Sequence, residues 1–574
     1  MFKKISVELF LLLLTFQSIY TRIITTNDLK DALSQVNPGD TIELKSGKYV
    51  FSYNTLKNGT KENKIKIKSA PNADVTFTGS SDRCVFEAES IHDVIFEGPM
   101  SIDGALCGFK FKHCYNINIT DVRFFDIQQQ AIVVSGYNIT IYNNKIYGCV
   151  LENSYTAKSK ISGWKQCVAI LGTKEWSSYG VTVENNTISF SYGEALYLVN
   201  CHETVVAHNE ITNGLSANIY IDSGFEMDID GNILRVNSTQ YDNKYGSACG
   251  IAMTSDIGIY GLYNINITNN IILGTRIGIN YFITNNRTGY QNVRILHNTL
   301  WNVHVTPISF SQPDLKYTSV YGCELKNNFI YFEGAKELEP KRAWELSYNF
   351  YYNTAKVPTI YSDDTSKAEK NLELNTVFNQ INGCNDYYNQ DLKPDCLRPS
   401  KQPDKLKLFH SGKPLKPKVD RDIAYCRRND YTPSIGAFEF PEGCSGGIDP
   451  APTDAPVPFR DYDVRFNITY CTSGYRVMKI VGSFCYWNVG KVEPMTQDKK
   501  CNWSYIFKDG TTLEFKYKFV EAIGSSAYKV ESDPHREFKG KALAEQVRKS
   551  PTGKYEDCDY TTSGDIITLV CAWR

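Results

Sequence analysis

Tyr197 and Tyr220 hold the same place in two apolar phrases, ALYL and NIYI, with Glu194 before the first and Asp222 after the second. If such phrases stack as strands, alternation turns both tyrosines to one outer face, one coil apart. A pyranose packs its apolar face on a ring of this kind, and its hydroxyls bond polar neighbours. Glu194 and Asp222 could hold Ca²⁺, which takes carboxylate oxygens. Asn280 lies in a later phrase of the same type, and Arg276 stands just before it. Two insertions interrupt the pattern nearby: Leu151–Gln166, with Lys158, Lys160 and Trp164, and Asn237–Ala248, with Tyr241, Lys244 and Tyr245. Lys244 or Tyr245 as base, with Arg276 or a cation neutralising a carboxylate, is equipment for removing a proton α to that carboxylate. The competing reading of each residue is an ordinary solvated surface side chain.

These residues need a scaffold that repeats. One phrase returns along the chain: ITIYNNKI at Ile139–Ile146, VTVENNTI at Val181–Ile188, VVAHNEI at Val205–Ile211 and MDIDGNIL at Met227–Leu234. It recurs as INITNNII at Ile265–Ile272, VRILHNTL at Val293–Leu300 and CELKNNFI at Cys323–Ile330. Its last Asn falls at Asn144, Asn186, Asn209, Asn232, Asn270, Asn298 and Asn328. Most gaps between these positions are roughly 23 to 30 residues, a period that marks a repeat architecture. One copy cannot bury its apolar side alone, so stacked copies share a column of Val, Ile and Leu. With a second short strand per copy, the pattern predicts a parallel β-helix, all-β in class. The recurring Asn is expected at the corner between strands, in the left-handed region, its amide bonding backbone or the next Asn. No helical pattern of ten or more residues separates the strands, which excludes an α/β reading.

The chain has 574 residues and a net charge of −1, so it offers no basic stripe for nucleic acid. Residues 1–22 carry two lysines and then a short apolar run centred on Leu11–Leu14. That run is too short to span a bilayer and reads as a secretory signal, so the mature protein is expected outside the cell, without a membrane span. Seventeen cysteines suit that compartment, and their odd number leaves at least one thiol without an intrachain partner. Cys84, Cys107, Cys114, Cys149, Cys167, Cys201 and Cys249, within the repeat, read as buried small hydrophobes. Glycan acceptor sequons stand at Asn58, Asn118, Asn138, Asn185, Asn237, Asn266, Asn286, Asn467 and Asn502, with Asn237 and Asn286 in loops.

The opening TTNDLKDALSQVNPGDTIELKSGKYVF, Thr25–Phe51, predicts a helix capped by Asn27 or Asp28 and carrying Leu29, Leu33 and Val36. Such a helix would cover the open end of a solenoid. This opening, followed by the Asn-marked strands, resembles the right-handed parallel β-helix proteins of the pectate-lyase-like superfamily, over roughly residues 25–441. YTPSIGAFEF at Tyr431–Phe440 resembles the terminal strand of secreted members. The superfamily holds lyases, hydrolases, epimerases and non-catalytic adhesins, so the resemblance implies a fold and leaves the chemistry open. The paired aspartates and Gly-His-Gly signature of polygalacturonases are missing, as is the Asp-Pro-His-Glu-like motif of alginate epimerases.

The domain plan that follows is a β-helix over 23–440, with a repeat core of about 65–335 and irregular packed loops over about 336–430. A linker over 441–458 and a small antiparallel β-sandwich over 459–574 complete it. The last segment resembles the starch-binding modules of carbohydrate-binding family 20, on VGSFCYW ending at Trp487, NWSYIF, FKYKF and ESDPHREF. That resemblance implies a site made of Trp487, Lys518 and Glu531. The second stacking tryptophan is replaced by Val530 and the usual Asn by His535, which removes half the platform. The expected partners are polysaccharides: starch or α-glucan for the C-terminal segment, a uronan for the β-helix. A non-catalytic matrix or adhesin-like glycan binder is the alternative to a polysaccharide-degrading enzyme.

Overall fold

A computed structural model describes residues 23–439 except 51–55, 80–82, 154–164, 174–176, 237–247, 256–260, 283–288, 311–320, 333–343, 354–366, 370–411, 416–418, 429–430 and 432; beyond 439 it describes the strands between 463 and 571. The chain divides into two compact units, Met1–Ile448 and Asp449–Arg574.

The first unit is a parallel β-solenoid. Each coil adds one strand to each of up to three columns. The first column contains Gln166–Leu171, Glu194–Val199, Ala217–Asp222, Cys249–Thr254, Ile277–Tyr281 and Thr306–Phe310, each paired in parallel with the next. The second runs from Ile23–Thr26 through Ser178–Glu184, Cys201–Ala207, Phe225–Asp230 and Leu262–Thr268 to Trp344–Ser347. The third includes Lys145–Cys149, Thr187–Ser191, Glu210–Gly214, Thr299–Val303 and Phe350–Asn353.

Register explains the apolar phrase. Ile141, Val183, Val206, Ile229, Ile267, Ile295 and Leu325 are successive partners in the second column, and all are buried. Removing this continuous column from water is worth about 25 cal/mol per Å² of apolar surface, which one isolated coil could not collect.

The asparagines do not sit where their sequence suggests. The left-handed residue of each corner is the one before the recurring Asn: Asn143, Asn185, His208, Gly231, Asn269, His297 and Asn327, at φ between 53° and 63°. The recurring Asn itself turns inward and is buried. Asn209 shows the pattern: its N and Nδ2 donate to Asn232 Oδ1 at 3.0 and 2.9 Å, and Nδ2 also reaches Val183 O at 2.8 Å. This relay satisfies both the donors and the acceptor of a buried carboxamide, as burial requires. The ladder also continues to Asn349, which accepts from Asn328, so strand stacking runs on past the point where the repeat phrase fades.

Near the N-terminus, Leu29–Gln35 forms a helix whose first turn is capped by Asp28 accepting from Asp31 N, with Leu29, Ala32 and Leu33 buried. Two disulfides revise the reading of four cysteines as free hydrophobes. Cys84–Cys107 joins adjacent coils, and Cys149–Cys167 closes the ends of the first insertion. Cys114, Cys201 and Cys323 are buried free thiols, and Cys249 is buried too.

The described part of 412–439 is a strap lying across the asparagine corner. Within it, Tyr431–Phe440 is not the terminal strand its sequence resembles: its described residues are bends and coil. Pro433 has no N–H to give a ladder, and Gly436 has φ 93°, outside any strand.

The second unit has two sheets. Thr496–Lys499, Asn502–Phe507, Asp463–Thr469, Ile566–Cys571, Cys558–Ser563 and Thr552–Tyr555 form one in that order, antiparallel save for the parallel pair Asp463–Thr469 and Ile566–Cys571. The other is built on Glu514–Ile523, which pairs antiparallel with Val477–Gly482, Ser526–Val530 and Arg536–Lys539.

Candidate functional site

The outer side of the first column gathers the residues of interest. Tyr197, Tyr220, Ala252, Asn280 and Ser309 are successive register partners. One step along, Val199, Asp222 and Thr254 form the next outward row. Inward parity belongs to Leu196, Leu198, Ile219, Ile221, Ile251 and Ile279, all in the core. Strand alternation thus commits the tyrosines to the outside.

The two tyrosines behave differently. Their rings lie 5.3 Å apart and are tilted by 35°. Tyr197 is only 8 % exposed, and its hydroxyl donates to Asp222 Oδ2 at 3.4 Å. Tyr220 is half-buried, and its ring meets Phe282 at 5.9 Å. Between Tyr220 and Asn280 the register inserts Ala252, a bare methyl, so the Tyr220 and Phe282 rings come together above it. Asn280, at the far side of Ala252, is half-buried. Two aromatic rings, an alanine floor and an adjacent carboxamide offer CH contacts and amide hydrogen bonds on one surface. Phe282 was not singled out from sequence, although the alternation that turns Asn280 outward turns Phe282 outward too.

Asp222 is 1 % exposed and accepts from Tyr197 and from Ser223 Oγ at 3.1 Å. Glu194 is equally buried but is not its neighbour. Leu196 pairs with Ile219, so Glu194 lies level with Ala217, five positions short of Asp222. At about 3.3 Å per residue that is roughly 16 Å along the strand, too far for a cation that binds oxygens at about 2.3–2.6 Å. The sequence pairs them because they flank two similar phrases, but they flank opposite ends. Among the described residues no group of three His, Cys, Asp or Glu could hold a metal ion.

Arg276 is half-buried at the start of its strand; its N donates to Ala248 O, and its carbonyl accepts from Val305 N. Lys244 and Tyr245 lie outside the described residues, as do Trp487 and Glu531. Lys518 lies in Glu514–Ile523, opposite Val481, and Val530 is opposite Val520 on the other side of the same strand. Asp228 and Asp230 belong to the second column, where Asp228 accepts from Asn266 and Asp230 from Thr268 and Asn269.

A second aromatic feature was not anticipated. His92, Tyr115, Tyr137, Tyr179, His202, Phe225 and Tyr263 stack ring on ring up the second column, with centroids 4.4–5.1 Å apart and planes within 9°. Its sequence signal is an aromatic residue or His placed two before the first apolar residue of the phrase, as in Tyr115-Asn116-Ile117 and Tyr137-Asn138-Ile139. The faces of these rings are spent on one another and only edges remain for solvent, so this row stiffens the solenoid and makes a poor sugar platform.

With this geometry, the class of protein is plain: a parallel β-solenoid carrying an outward aromatic–amide patch, followed by a separate β unit. Among solved structures, the chain is similar to pectate lyase Pel9A, at 14 % identity over 74 % of this chain and 97 % of that one, with a TM-score of 0.43. It is similar to PfbA, a surface adhesin of Streptococcus pneumoniae, at 16 % identity over 56 % and 84 %, with a TM-score of 0.39. It is also similar to the PL6 family alginate lyase AlyGC, at 15 % identity over 61 % and 53 %, with a TM-score of 0.37. No protein-family model and no curated protein matches the chain.

Proposed function

We propose that this is an exported polysaccharide-binding protein that holds a glycan chain along the outer face of the first strand column. The observation that carries the reading is the meeting of the Tyr220 and Phe282 rings over Ala252, with Asn280 in the same register row. Successive coils stand about 4.8 Å apart, so a linear polymer running along the solenoid axis meets the same kinds of side chain repeatedly. The C-terminal unit is the second glycan contact, an α-glucan module using Trp487, Lys518 and Glu531. The test is retention of the full chain on gels containing soluble starch, polygalacturonate or alginate, against Tyr220→Ala with Phe282→Ala and against Trp487→Ala. Loss of uronan retention in the double variant and of starch retention in Trp487→Ala is expected. Unchanged retention in both would sink the assignment.

A catalytic reading has one observation of its own. The insertion bearing Lys244 and Tyr245 rejoins the solenoid at Ala248, whose carbonyl accepts from Arg276 N. In this reading Arg276 neutralises the substrate carboxylate and Lys244 or Tyr245 removes the neighbouring proton. Incubation with uronans and Ca²⁺ should then raise the ultraviolet absorbance of unsaturated products. A flat trace with retention intact leaves binding alone.

A further inference from the structure

The strap of 412–439 is held by a polar cluster that the glycan site does not use. His297, in the left-handed corner position, is 1 % exposed. Its Nδ1 lies 3.0 Å from Ser434 O on the strap, and its Nε2 lies 3.1 Å from Asn327 Nδ2 on the next coil. A carbonyl only accepts and an amide nitrogen only donates, so both contacts are satisfied by one species, the neutral ring protonated at Nδ1. A second proton would set an N–H against the N–H of Asn327. That amide cannot turn round to accept, because Asn327 Oδ1 already accepts from Lys413 N and Nδ2 donates to Lys413 O, both at 2.8 Å.

The surrounding charges reinforce this. Arg428, itself buried, donates to Asn269 Oδ1 at 2.6 Å and to Gly436 O and Ala437 O, and it pairs with Glu439 at 3.5 Å. Glu439 accepts from Ser434 N and Oγ, and Asp422 accepts from the backbone N of Ala424, Cys426 and Glu439. From the solenoid side, Asp230 accepts from Asn269, and buried Lys326 is paired with Glu324 and Glu345. Lys413 Nζ, on the strap, also pairs with Glu345. Burial, and then the Arg428 guanidinium, hold His297 well below the usual imidazole range.

We propose that the strap is an acid-released cover: protonation of His297 undocks the described segments 412–415, 419–428 and 433–439 from the asparagine corner while the solenoid beneath stays folded. The docked form excludes the second proton and the undocked form accepts it, so docking is full above about pH 6.5 and weakens as pH falls below that value. Asp422 works in the opposite sense: burial raises its pKa when docked, so its protonation favours the docked form as pH falls and counts against release. Release uncovers Thr299 and Phe329, on which Gly436 and Ala437 lie, and separates Tyr425 from the His208 ring 4.6 Å away.

Hydrogen exchange of the full chain, normalised for intrinsic rates, tests this at pH 7.5 and 5.0. Strap peptides from 419–428 and 433–439 should exchange faster at the lower pH, by up to about 30-fold, the limit set by an imidazole wholly excluded from protonation when docked. Core peptides such as Leu262–Thr268 should not change. His297→Gln keeps a donor for Ser434 and removes the titration, so its strap should be indifferent to pH. Equal strap protection at both pH values, equal loosening of strap and core, or an undiminished response in His297→Gln would each overturn the proposal. Should that variant fail to fold, the wild-type imidazole resonance decides: a His297 ring that titrates near 6.5 while the strap stays protected also overturns it.

Discussion

Tyr197 reaches across one coil to Asp222, its hydroxyl 3.4 Å from Oδ2, while Tyr220, its register partner, turns its ring toward Phe282. Two tyrosines in equivalent positions therefore do different work. Tyr197 orients a buried carboxylate, and Tyr220 presents a partly open face. Tyr197→Phe should lower stability by about 1 kcal/mol, the net worth of one hydrogen bond, and leave glycan retention intact. Tyr220→Ala should weaken retention about tenfold, the loss of one aromatic contact worth about 1.4 kcal/mol. Thermal unfolding and affinity electrophoresis on both variants separate the two roles, and matching profiles would refute the division.

The asparagine ladder makes a sharper contrast between adjacent residues. Asn185 has φ 57° and occupies the corner, whereas Asn186 is buried and relays from Asn144 to Asn209. Asn185→Gly should be near neutral, because glycine takes that conformation without strain. Asn186→Gly strands the N of Asn144, leaves its Nδ2 with the Ile119 carbonyl alone and takes a donor from the carbonyl of Ile141, buried polar groups costing about 1–3 kcal/mol each when unsatisfied. Urea unfolding should show a loss of several kcal/mol for Asn186→Gly alone.

Gly136 has φ 132°, and a Cβ there would overlap the carbonyl of Cys114 on the previous coil. Backbone cannot give way as a side-chain tip can, so Gly136→Ala should abolish soluble expression or lower the melting temperature by at least about 3 °C, the shift that a cost of roughly 3 kcal/mol produces in a unit of this size. A variant with wild-type melting would show that this coil is looser than its hydrogen bonds indicate.

Cys114 and Cys201 are buried thiols whose pKa burial pushes up to about 12, and burial carries Cys323 to about 11. Only thiolate alkylates at a useful rate, so these three should resist iodoacetamide at pH 8 in the native protein and react fully in denaturant. Peptide mapping checks each site, and native labelling at any of them would contradict the burial described.

Arg428 is enclosed by Glu439, Asp422 and three oxygen acceptors. Arg428→Met removes the cation and leaves Glu439 buried without it, at a cost of about 3–5 kcal/mol. Proteolysis within 412–439 should accelerate while the solenoid core stays resistant. Arg428→Lys should recover only part of this, since an ammonium in the place of Nη2 leaves the Nη1 contacts with Glu439 and Ser434 O unmade.

The sequence by itself determined the strand columns. Alternating Val and Ile at a repeating interval admit one economical burial, and that reading fixed which residues of ALYL and NIYI face outward. It also placed a corner within each Asn-marked phrase, although not the residue that turns it: Asn185 and Asn186 share a side chain, and only backbone dihedrals and burial tell corner from ladder. Tertiary structure decided the rest. Register set Glu194 and Asp222 at opposite ends of neighbouring strands, which no local pattern encodes, because pairing is a property of two segments and not of one. It set Ala252 between Tyr220 and Asn280, making room for Phe282 from a later coil. It also brought Arg428 to Asn269 and Ser434 to His297, contacts between residues 159 and 137 positions apart. Such contacts form only after the coils have stacked, since the corner that the strap covers does not exist until neighbouring turns build it.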